Sequence, residues 1–124
     1  MSITILLGAD GKDAEAVEES TIAITIDFED EDGDAVVPTE AKWTLTNDDG
    51  DVVDTRERVN ISSLASSVDV VLKGSNLQIL SGESGDRFAT RRFLIEAKYN
   101  SSLGTGLPLN ESCTFPVRNL KYVS

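Results

Sequence analysis

Apolar residues recur at every second position along much of this chain, the mark of strands with one buried and one exposed face. Ile22, Ile24, Ile26 and Phe28 alternate with Ala23, Thr25 and Asp27, which predicts a strand over residues 20–28. Ala41, Trp43 and Leu45 alternate with Lys42, Thr44 and Thr46, and Pro38 marks the entry to that strand. Val68, Val70 and Leu72 repeat the pattern until Gly74. Phe93, Ile95, Ala97 and Tyr99 form a longer run, with Arg92, Leu94, Glu96 and Lys98 on its other face. Cys113, Phe115 and Val117 define a last strand, in which Pro116 points to an edge or a bulge. Ile3, Ile5 and Leu7 predict a short strand over residues 2–7, and Val52-Val53 and Val59-Asn60-Ile61 read as short edge strands.

Turn chemistry separates these runs. Asn47-Asp48-Asp49-Gly50 supplies a tight turn, because Asn and Gly tolerate the positive φ that hairpins need. Residues 8–19 are polar and read as a loop or one helical turn, and Ser62 to Ser67 is a serine-rich connector. Asn76 to Leu80 predicts one helical turn that carries Leu77 and Leu80 under the domain, followed by a turn over Gly82 to Asp86. Ser101 to Leu109, with Gly104, Gly106 and Pro108, reads as a loop. The sum is an all-β chain: an immunoglobulin-like antiparallel β-sandwich of about seven to nine strands with little helix. Residues 1–124 form one domain, with an N-terminal strand and polar connector over 1–19 and the core sandwich over 20–122. The predicted core is Ile24, Ile26, Phe28, Trp43, Leu45, Val70, Leu72, Phe93, Ile95, Tyr99 and Phe115.

Composition narrows the chemistry. The 124 residues carry a net charge of −11, unevenly spread. Residues 1–55 hold sixteen acids against Lys12 and Lys42, whereas residues 56–124 hold six acids against nine bases. Phosphate backbones need a basic surface, so no nucleic-acid partner is expected. Histidine is absent, which removes the commonest general base and transition-metal ligand. Cys113 is alone, so neither an internal disulfide nor a thiolate zinc cluster can form. Met1 to Leu7 is too short and lacks a preceding basic residue for a signal peptide, and no run is long enough to span a bilayer. Synthesis in the cytosol and no membrane partner are the expectations.

Few residue sets could carry catalysis or a cofactor. Glu29-Asp30-Glu31-Asp32-Gly33-Asp34 crowds five carboxylates, but with Gly33 as the sixth residue of a calcium loop the first and twelfth positions would be Phe28 and Thr39. The Asn47–Asp51 turn fails in the same way, with Leu45 and Arg56 at those positions. No catalytic, cofactor or metal residue is therefore assigned. Cys113 lies in phase with Phe115 and Val117, as a small apolar residue would. Three Asn-X-Ser triplets, at Asn60, Asn100 and Asn110, match the glycosylation pattern by chance in a chain without a signal sequence. Arg87, Arg91 and Arg92 cluster at the start of a strand, where they would either grip an acidic partner or pair with the Asp48–Asp51 turn.

The segment Pro38 to Gly50, the strand Val68 to Gly74, and Phe93 to Tyr99 with Leu103-Gly104 behind it resemble a small immunoglobulin-like protein found among the structural genes of tailed bacteriophages. The likeness covers about residues 20–122, and lacks the two-cysteine bridge of antibody domains. It implies a non-enzymatic virion component made in the bacterial host cytoplasm: a capsid decoration or a head–tail or tail accessory subunit. Capsid, portal, neck or tail proteins would be its partners, with self-association on the particle as a further option. A carbohydrate- or cell-surface-binding domain is the alternative, with Tyr122 as its best exposed aromatic. Sandwich topology would bring the acidic loop beside the 101–109 loop at one tip. The predicted partner-binding residues are thus Glu29, Asp30, Glu31, Asp32, Asp34, Leu103, Leu107 and Leu109. The N-terminal strand would pair either within its own sheet or with the sheet edge of a neighbouring subunit.

Overall fold

A computed structural model describes residues 2–6, 16–83 and 85–120. They are mostly strand, with no α-helix among them and two short 3₁₀ turns, Gly74–Leu77 and Ser81–Glu83. The strands are β1 (Ser2–Leu6), β2 (Ala16–Val17), β3 (Thr21–Asp27), β4 (Glu40–Asn47), β5 (Val59–Asn60), β6 (Ser67–Lys73), β7 (Phe88–Ser101) and β8 (Gly104–Arg118). One sheet has the order β1-β3-β6 and the other β2-β8-β7-β4-β5.

The period of two becomes the burial pattern directly. In β3, Ile22, Ile24 and Ile26 are buried and the residues between them are not; in β6, Val68, Val70 and Leu72 do the same. From the other sheet Trp43, Leu45, Phe93, Ile95, Phe115 and Val117 join one continuous apolar cluster with them. Alternate side chains of both sheets therefore meet in a single core. All of the predicted core residues are buried. Trp43 stacks on Phe93, its neighbour on the adjacent strand, with ring centroids 5.6 Å apart.

Several details differ from the sequence reading. The larger sheet is mixed, because β2 runs parallel to the end of β8, with Ala16 opposite Val117. Residues 16–17 were expected in a polar connector; Ala16 is instead buried, and two residues are too few for periodicity to register. Residues 101–109 are not a loop. Only Ser102 and Leu103 lie outside strands, and β7 and β8 form a long hairpin. A register shift after Tyr99 and the left-handed φ of +63° at Gly106 absorb the glycines that made this stretch read as irregular. The N-terminal strand pairs with its own chain: β1 runs antiparallel to β3 from Ser2 opposite Asp27 to Leu6 opposite Ala23. Residues 8–15 and Tyr122 lie outside the described residues. No described helix is long and apolar enough to cross a membrane.

Both prolines of β8 fit the ladder. Asn119 donates its backbone N–H to Arg87 O, which makes the odd-numbered residues of β8 the ones bonded to β7. Pro108 and Pro116 are even-numbered, so their missing N–H groups would have pointed away from β7, toward the outer edge.

Candidate interaction surface at one end of the sheets

The loop between β3 and β4 is shaped by its own acids. Asp30 Oδ1 accepts the backbone N–H groups of Asp32 and Asp34 at 2.9 and 3.0 Å, and Gly33 N–H donates to Asp30 O. This folds Glu29 to Ala35 into a tight excursion, closed by a bridge between those two residues. Gly33, at φ +83°, takes the left-handed position that an L side chain disfavours.

The β7–β8 turn meets this loop. Ser101 Oγ donates a 2.6 Å hydrogen bond to Glu31 Oε1, across seventy positions of sequence, and Leu103 N–H donates to Ser101 Oγ. The same end thus holds Glu29, Asp30, Glu31, Asp32 and Asp34 beside Leu103. Burial, and then the charges of Glu31, Asp30 and Asp32, push the Tyr99 phenol above its ordinary value. Leu103 is 69% exposed at the turn, and Val37, in the same β3–β4 connection, is 56% exposed.

The other two leucines of the expected patch sit elsewhere. Leu107 and Leu109 are half-buried along β8, opposite Tyr99 and Ala97, and Leu109 packs against the core cluster. Strand geometry turns them inward, away from the patch to which the sequence assigned them. Val37 was missed by the sequence reading. Its neighbour Pro38 is buried and Val36 is half-buried, so of the three residues it is Val37 that faces outward.

The carboxylates of Asp30, Glu31 and Asp32 bring oxygens within 4.8 Å of one another, the spacing that cation ligands require. Two of these acids already serve the loop, Asp30 through backbone N–H groups and Glu31 through Ser101.

The arginine cluster is divided. Arg91 falls in phase with Phe93 and Ile95 and is fully buried, where its two terminal nitrogens grip both carboxylate oxygens of Glu83. Gln78 O and Thr90 O accept further hydrogen bonds from it. The Asp48–Asp51 turn, one of the two partners expected for the cluster, does not receive Arg91; it closes on Asn47, whose side-chain oxygen takes the N–H groups of Asp49 and Asp51. Arg92 points to the other face, exposed. Inward phase along β7 was the available signal for Arg91, overridden by its charge.

On the outer face of the larger sheet an open groove of about 280 Å³ is lined by Glu40, Lys42, Arg58, Glu96, Lys98 and Asn110. Its charges pair within it, Lys98 with Glu40 at 3.3 Å and Arg58 with Glu96 at 3.7 Å. Cys113 is half-buried, and burial, helped by Glu111, raises its thiol to about 11. A thiolate is thus scarce at neutral pH. Alkylation of Cys113 in the folded protein is expected to be much slower than that of a free thiol at pH 8, and to accelerate as pH rises toward 11, followed by mass spectrometry. No family model, curated protein or solved structure matches the chain.

Proposed function

We propose that this chain is a non-enzymatic assembly module that docks through the end formed by Glu29–Asp34, Val37 and Leu103. The observation that carries the reading is the meeting of Glu31 and Ser101, which sets an acidic loop beside the turn that carries an exposed leucine. Exposed apolar side chains ringed by one sign of charge favour a partner with an apolar recess in a basic surface. Leu103 would supply the desolvated anchor, and the carboxylates would supply orientation and encounter rate.

The module is read as immunoglobulin-like. In that scheme one sheet carries strands A, B, E and D and the other C, F and G, with C′ added beside C in variable-type domains. Assigning β1, β3 and β6 to A, B and E, and β4, β5, β7 and β8 to C, C′, F and G, reproduces those neighbours, with no strand D among the described residues. Together with the resemblance carried by Pro38–Gly50, Val68–Gly74 and Phe93–Tyr99, this supports a structural subunit of a tailed-phage particle, on the capsid or at the head–tail or tail junction.

The test is to add the protein to empty capsids and to assembled tails and to measure occupancy. Saturable binding to one of them is expected. Leu103→Asp should lower the affinity at least about tenfold at an unchanged melting temperature, because the residue is exposed and anchors nothing internal. No binding to either particle would overturn the phage reading, and equal binding by the variant would overturn the choice of surface.

A further inference from the structure

The two sheets treat their open edges differently. Along β8, Pro108 and Pro116 remove outward N–H groups, which blunts that edge against pairing. Beside β4, the short β5 and the irregular segment before it occupy the edge: Arg56 O and Val53 N–H bond to Leu45, and Arg58 N–H bonds to Thr44 Oγ1. Strand β6 has no such device. It ends its sheet on the side opposite β1, and is seven residues long, without proline or bulge.

The direction of its free groups follows from the ladder. Gly74 N–H donates to Ser20 O and Phe28 N–H to Ser66 O, so the even-numbered residues of β6 are those bonded to β3. The N–H and C=O groups of Ser67, Asp69, Val71 and Lys73 therefore point outward. Lys73 N–H is taken by Asn76 Oδ1 at 3.1 Å. Those of Ser67, Asp69 and Val71 meet no hydrogen-bond partner among the described residues. The side chains of these three residues are exposed, Val71 at 51%.

We infer that β6 is a self-association edge, pairing antiparallel with β6 of a second copy about a two-fold axis at Val71. Only registers that oppose odd residues to odd residues use the free groups, and the one centred on Val71 is self-complementary in side chains as well. It sets Val71 against Val71 of the second copy, and each Asp69 directly across from a Lys73. Opposite charges facing each other across an antiparallel pair are favourable, and like charges there are not. Asp69 spends one oxygen on Thr25 Oγ1 at 2.7 Å, leaving the other for the lysine. Val71 gives two backbone hydrogen bonds, and each Asp69 N–H one more to the facing Lys73 carbonyl. The result is one continuous sheet of both copies, β1-β3-β6 on either side of the axis.

The antiparallel arrangement also answers the net charge of −11. The acidic loop follows β3 beyond the Ser67 end of β6, so the two loops are carried to opposite ends of the joined sheet. At about 3.3 Å per residue the two Ser67 residues stand roughly 26 Å apart. That is several times the screening length of about 8 Å at physiological salt. Repulsion between loops is therefore weak.

Sedimentation velocity from about 1 μM to about 1 mM should show a reversible monomer–dimer equilibrium for the intact chain. Val71→Lys, which puts a lysine on the axis against its copy, should leave a monomer. Asp69→Lys and Lys73→Asp should each weaken dimerisation about tenfold or more, by facing like charges. Combining them should restore the dimer, with thermal melting confirming that each variant is folded. A monomer throughout that range would overturn the inference. So would a dimer indifferent to Val71→Lys, or a double variant no tighter than either single one.

Discussion

Glu83→Ala should destabilise the protein by about 3–5 kcal/mol, the usual effect of stranding a buried charge by removing its partner. Arg91 is fully buried beneath the β6–β7 connection, which brings Gln78 O and Glu83 to it, and Glu83 is the one anion on its guanidinium among the described residues. The same carboxylate accepts Leu80 N–H at 3.0 Å, so its loss also loosens the 3₁₀ turn that carries it. Urea unfolding with an unchanged slope is the measurement. Replacing both partners, as Glu83→Leu with Arg91→Met, should recover most of the loss, because an apolar pair of similar volume carries no desolvation cost. If Glu83→Ala costs less than about 1 kcal/mol, the guanidinium is solvated and this account of the corner is wrong.

The pair also sets a pH dependence. The hydrogen bonds from Arg91 hold the Glu83 carboxyl below its ordinary value of 4.5, against an opposing effect of burial. A carboxyl lowered in the folded state stabilises fully above its unfolded value and loses that contribution as pH falls through the folded one. The stability difference between the parent and the apolar double variant should accordingly shrink below about pH 4.5 and stay flat above about pH 5.5.

Trp43→Ala should cost about 3–5 kcal/mol as well, by a different route. The indole is 8% exposed and stacks on Phe93 across the β4–β7 ladder, at an interplanar angle of 25°. Removing it deletes a large buried apolar surface and leaves a cavity between strands whose hydrogen bonds resist collapse. Trp43→Phe should cost much less, since it keeps an aromatic ring against Phe93. The parent protein reports on the site itself. Its single tryptophan should emit at short wavelength when folded and shift red in the unfolding transition. Emission typical of a water-exposed indole in the native protein would show that the two sheets do not close over it.

These two sites differ in how far the chain announced them. Trp43 could be read from spacing, because Ala41, Trp43 and Leu45 share one phase and the residues between them, Lys42 and Thr44, are polar. Arg91 occupies an equally regular inward position, yet its charge argues for solvent. What reverses that preference is Glu83, brought across from a 3₁₀ turn that no periodicity marks. The proposed docking end shows the same division. The acidic run was plain in the sequence, and sandwich topology pointed to the 101–109 stretch as its neighbour; which of Leu103, Leu107 and Leu109 would remain exposed was not legible, since that depends on where β8 starts.

Alternation of apolar side chains determined the strands, their inward faces and the enclosure of Trp43, because a pleated backbone sends successive residues to opposite sides and water excludes one set. Tertiary structure alone decided the partners: Ala16 beside Val117, Glu31 against Ser101, Arg91 on Glu83, and the bare edge at Asp69 and Val71. Each of these joins segments distant along the chain. Their meeting is set by sheet order and by which strands end a sheet, and a local pattern of polarity carries no record of either.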